Sequence, residues 1–160
     1  MSTAAARYRI PDEPRPSGLV RYAVDPMWPL LAIMLAGNGI GLAWFAFNSR
    51  ALGSVTALRE AAWVAASVIG CMLIHLVLLN AYAQGWLDKS AVAYAVLAFP
   101  VLKIVFAYLL YLDQSRSAEL LTHYGGTLRN GAIGLFAGFL LARNVIDKLT
   151  LPRILEEALR

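Results

Sequence analysis

The chain has 160 residues, of which 59% are hydrophobic and 15% charged. A soluble domain carries about 25% charged residues, so this composition points away from water. The formal net charge is +4, and the lone cysteine, Cys71, excludes an intrachain disulfide and a cysteine metal cluster. The basic residues are read as membrane-orientation signals rather than a nucleic-acid surface.

Residues 1–25 (Met1 to Asp25) hold four arginines, three acids and three prolines without periodicity. This predicts a flexible cytoplasmic tail and no signal peptide. Asp25-Pro26 reads as a helix start, with Asp as N-cap and Pro at the first helical position. From Pro26 to Ser49 there is no ionisable side chain, and Ala61 to Leu87 carries no Asp, Glu, Lys or Arg and a single histidine, His75. Each run exceeds the roughly 20 residues that cross the hydrocarbon of a bilayer.

The expected fold is all-α: a polytopic membrane protein with four transmembrane helices in an antiparallel bundle. The spans fall at about 27–48, 61–83, 91–112 and 128–149, with an amphipathic C-terminal helix over 150–160. In that helix Leu151, Ile154, Leu155, Ala158 and Leu159 oppose Arg153, Glu156, Glu157 and Arg160. Ser115 to Tyr124 reads as a short surface helix before Gly125-Gly126. Four spans put both termini on one side. Arg7, Arg9, Arg15, Arg21, Lys89, Arg143, Lys148, Arg153 and Arg160 then oppose Arg50, Arg59, Arg116 and Arg129. Nine against four predicts cytoplasmic termini in an inner (plasma) membrane. Trp28, Trp86 and Tyr94 would mark the inner boundary, and Trp44, Trp63, Tyr111 and Tyr124 the outer one. Gly53 and Gln114 would be open to the outside.

Small residues let helices approach in lipid, so Gly37, Gly41, Gly131, Gly134 and Gly138 are the expected packing positions. They serve contacts within the chain, with a second copy, or with another membrane protein. GNGIG in the first span resembles a phosphate loop in composition alone, because it sits mid-helix with no strand before it. At about 1.5 Å per residue, Asn38 lies roughly 16 Å deep, Lys103 roughly 18 Å and His75 roughly 12 Å. These three form a polar midplane layer. No Asp or Glu lies within the first three spans to pair with Lys103. Its amine is therefore neutral, bonded to backbone carbonyls, or bound to an anion or a partner's carboxylate. Pro100 cannot donate to the Val96 carbonyl, which makes that oxygen one acceptor for Lys103.

No metal or haem site follows from His75, because His123 lies far away in depth. There is no HExxH, CxxC, P-loop or GxGxxG motif, and no paired carboxylates, so no cofactor and no enzyme chemistry are positively indicated. The leading expectation is a small membrane protein working as an oligomer or as a non-catalytic subunit of a larger membrane complex. The alternative is a small channel or transporter for protons or anions. A third reading is a subunit of a lipid-acting enzyme.

Overall fold

The computed structural model describes residues 18–142, so the C-terminal amphipathic helix and most of the tail lie outside the described residues. These residues form an all-helical array: α1 Met27–Leu35, α2 Asn38–Leu52, α3 Ala57–Ala83, α4 Lys89–Ala95, α5 Ala98–His123 and α6 Ala132–Leu141. A 3-10 turn, Val20–Tyr22, precedes α1. By length and composition α3 and the Ser90–His123 stretch are each apolar enough to cross a bilayer.

The local signals at the start of α1 act as their chemistry dictates. Asp25 Oδ1 accepts the Met27 N–H at 2.8 Å, which satisfies one of the donors a helix start leaves open. The expected first span is nevertheless not one helix. α1 has 9 residues and ends before Gly37, whose φ of 93° and ψ of 167° belong to a region essentially reserved for glycine. Gly37, Gly39 and Gly41 fall within five residues, each costing a helix about 1 kcal/mol relative to Ala. GNGIG is thus where the helix breaks.

After the break, α2 folds back along α1. Asn48 Oδ1 accepts the Val24 N–H at 3.0 Å, and its Nδ2 donates to the Val24 carbonyl at 3.1 Å. Nearer the bend, a Cβ at Gly41 would overlap the backbone of Ile33. Residues equally far before and after Gly37 therefore face each other, and α1–α2 is an antiparallel hairpin.

α3 and α5 pack antiparallel, with Trp63 beside Phe106, Gly70 against Leu102 and His75 beside Phe99. α4 ends at Ala95 and α5 begins at Ala98, with Pro100 in its first turn, where a missing N–H is tolerated. The Val96 carbonyl that Pro100 cannot serve accepts the Phe99 N–H at 3.1 Å. Ser115 to Tyr124 is no separate surface helix: it continues α5, and Gln114, Ser117 and Ala118 are buried.

α6 starts beside the base of the hairpin, where the Arg129 N–H donates to the Ala23 carbonyl at 2.8 Å and Val24 bridges Arg129 in parallel. Asn130 Oδ1 caps it through the Ala132 N–H. The described turns of α6 then run alongside α1 toward the bend.

Three small clusters make the core. Ile33, Leu42 and Phe45 of the hairpin meet Ala107 and Leu110 of α5. Ala23, Ala51, Leu52 and Ala118 close the base, and Cys71 with Phe99 joins α3 to α5. Consequently residues 23–24, 48–60, 110–118 and 129 gather at one end of the helices, and the 84–88 turn lies at the other.

Candidate functional site: a buried polar network at the hairpin base

The most connected polar group lies where the hairpin base meets α3 and α5. Gln114 is fully buried. Its Nε2 donates to the Phe45 carbonyl at 2.7 Å and to Glu60 Oε2 at 2.8 Å, while its Oε1 accepts from Asn48 Nδ2 at 3.0 Å. Asn48, also fully buried, uses its remaining capacity on both backbone atoms of Val24. Every donor and acceptor role of the two amides is thereby engaged, which is the condition for burying them without penalty.

Glu60 is 2% exposed. Its Oε1 accepts from the Thr56 hydroxyl at 2.8 Å and from the Ser54 hydroxyl. Ser54 in turn accepts from Ser117 at 3.1 Å and from the Thr56 N–H at 3.2 Å. The carboxylate thus meets two hydroxyls and one amide, all neutral donors. Such a set compensates a buried acidic group through hydrogen bonds. The neighbouring acid is treated differently. Asp113 takes the Arg59 guanidinium in a two-point contact of 2.6 and 2.8 Å and the Trp63 indole N–H at 3.2 Å, at the exposed edge.

Chemically the network is a lock. It ties the chain entering α1, both ends of the α2–α3 corner and the late turns of α5 into one rigid unit. Gln114 was expected to be open to the outside; the structure overturns this, because α5 runs on and turns Leu110, Gln114 and Ser117 inward. A legible signal exists in the sequence. Ala107, Leu110, Gln114 and Ser117 recur at helical spacing, so the polar pair continues an apolar face.

The three midplane residues occupy different places. Asn38, fully buried in the first turn of α2, donates through Nδ2 to Ser67 Oγ at 3.4 Å. His75 stands two turns further along α3 from Ser67, half-buried, with its ring 6.5 Å from that of Phe99. Lys103 is half-buried and lines a recess of about 250 Å³ with Ile33, Met34, Pro100 and Ile104, under the hairpin bend. Ser67, Cys71 and His75 thus form a row on α3, with Asn38 bonded at one end of it.

The glycines meet large side chains of the same chain. A Cβ would strike Trp28 at Gly131, Trp44 at Gly134 and Ile40 at Gly138. Trp28 of α1 and Trp44 of α2 therefore pack against successive positions at the start of α6, near one another rather than at opposite boundaries. Gly37 makes the bend instead of a packing face. Among the described residues no group of three His, Cys, Asp or Glu side chains converges as metal ligands would. Comparison of the chain with protein-family models, curated proteins and solved structures gives no match.

Proposed function

We propose that the chain is an integral membrane protein in which α3 and α4–α5 cross the bilayer and the α1–α2 hairpin enters and leaves on one side. It works as an oligomer or as a non-catalytic subunit of a larger membrane assembly. The observation that carries this reading is the exposure of the long helices. Only 11% of the most apolar window of α3, and of the Ser90–His123 stretch, is buried inside the chain. Lipid accounts for most of that surface. The half-buried His75 and Lys103 lie within it, polar positions on a surface that is otherwise mostly apolar.

Particle mass in lipid nanodiscs tests the proposal. The expected protein mass is a multiple of 17.4 kDa, or one chain with a stoichiometric partner. A single chain by itself at micromolar concentration overturns it.

A second reading, a small proton or anion pathway, is supported by the hairpin. Helices broken at depth are tolerated where they are packed in protein or line a wet cavity, and transporters place sites at such breaks. Asn38 at the break and Lys103 beneath it would line such a path. Liposome flux abolished by Lys103→Met would support this reading, and absent flux in wild type would remove it.

A further inference from the structure

Between α2 and α3 runs a groove of about 730 Å³, open to the outside of the bundle along Ala43, Ala46, Leu58 and Ala61. Its polar side chains, Ser49, Arg50 and Glu60, are toward the α2–α3 corner, and the other side chains that line it are apolar. At about 1.5 Å per residue, Ala43 on α2 and Val64 on α3 lie roughly 10 Å deeper than Arg50 and Leu58. The groove is therefore amphipathic along its length, polar at the mouth and apolar below.

Ser49 gives the second observation. It is 5% exposed, lines the groove, and its hydroxyl has no hydrogen-bond partner. An unsatisfied buried hydroxyl is costly, and a bound acceptor would relieve it. Ser49 and Arg50 at the mouth supply a hydroxyl donor and a guanidinium, the pairing that a phosphodiester accepts. Glu60, one step inside, adds an acidic group beside that guanidinium, so the mouth offers both signs of charge to a headgroup that carries both, as a phosphate with a neutral glycerol does not.

From these placements we infer that the groove holds one zwitterionic phospholipid. Its phosphodiester lies against Arg50 and Ser49, and one acyl chain lies along Ala46, Ala43 and Val64. The inference rests on the reading that α2 and α3 lie in a bilayer. The lipid would be a structural ligand that fills the corner the protein leaves open.

The test is native mass spectrometry of the full chain released from vesicles of equal phosphatidylethanolamine and phosphatidylglycerol. The expected result is one phosphatidylethanolamine per chain, retained in preference to phosphatidylglycerol. Ser49→Ala should lower that retention about tenfold while leaving the melting temperature in lipid-free detergent unchanged or higher, since it removes an unsatisfied hydroxyl. Ala46→Trp, which fills the groove from its open side, should abolish retention. No retained lipid, equal retention of phosphatidylglycerol, or unchanged retention in Ser49→Ala would overturn the inference. So would an Ala46→Trp variant that changes particle mass instead of lipid content, because the groove would then hold a second copy. A chain extracted from membranes by alkaline carbonate would fail one step earlier, at the bilayer reading itself.

Discussion

Gln114 carries more of the hairpin base than any other single side chain. Its amide joins Phe45 and Asn48 of α2 to Glu60 of α3. Gln114→Leu keeps the volume but leaves Glu60 Oε2 and one Asn48 amide proton without partners, and takes the side-chain donor from the Phe45 carbonyl. Each unsatisfied group costs about 1–3 kcal/mol, so the variant should lose about 3 kcal/mol or more, seen as a lower melting midpoint. Asn48→Ala should be non-additive with it, and strict additivity would show that the two amides do not act as a unit. Lys103 is the opposite case. Lys103→Met fills the recess beside Ile33 and Met34 without a charge, so the fold should be as stable or more so. Under the proposed function, the same change should release the partner or lower the oligomer mass. An unaltered assembly would take Lys103 out of the interface.

The hairpin is the element on which the architecture turns. Met27 and Phe47 are exposed and lie on opposite arms near its base. Spin labels there should sit well under the roughly 30 Å that a straight 20-residue helical separation would give. A distance near that value would restore a single spanning helix. Gly37→Ala should destabilise the bend by about 1–3 kcal/mol through its positive φ, and widen the same distance distribution. At the far end, Asp88 caps α4 by accepting the Ala91 N–H at 2.7 Å and the Ser90 hydroxyl at 2.9 Å. The Ala91 bond first, and then Ser90, hold its carboxyl below the usual carboxylate value. A depressed folded pKa contributes stability that is present above the unfolded value and lost as pH falls through the folded one. The α4 amides should therefore exchange faster as pH drops below the carboxylate range, after correction for intrinsic rates. Asp88→Asn retains the cap and should remove that pH dependence.

At the scale of the whole molecule, the fold-back regroups the charges. Arg21, Arg50, Arg59, Arg116 and Arg129 come to lie around one end of the helices, and the 84–88 turn lies at the other. Under the proposed function, the positive-inside rule predicts that the arginine-rich end faces the cytoplasm, including the corners at 53–56 and 124–130. That prediction is opposite to the side expected for Gly53 from four straight spans. Val55, Tyr124 and Trp86 are exposed. Cysteines placed at Val55 and Tyr124 should resist an impermeant reagent in intact cells, while one at Trp86 should react. Labelling of the Val55 position from outside would overturn this topology.

Composition and run length by themselves determined that the chain is helical and that α3 and α4–α5 are long and apolar enough to cross a bilayer. These are local quantities, fixed by side-chain transfer energies and a constant rise per residue. The Asp25 cap was legible for the same reason. Only the tertiary structure decided that Met27 to Asn48 folds back, because glycines at 37, 39 and 41 permit both a close helix crossing and a bend. What selects the bend is the set of contacts made after it forms: Asn48 on Val24, Ile33 on Gly41, and Trp28 and Trp44 on α6. The buried network was hidden likewise. A Glu, a Gln and an Asn at span ends read as boundary residues, and burial suits them only when partners more than 50 residues away complete their hydrogen bonds.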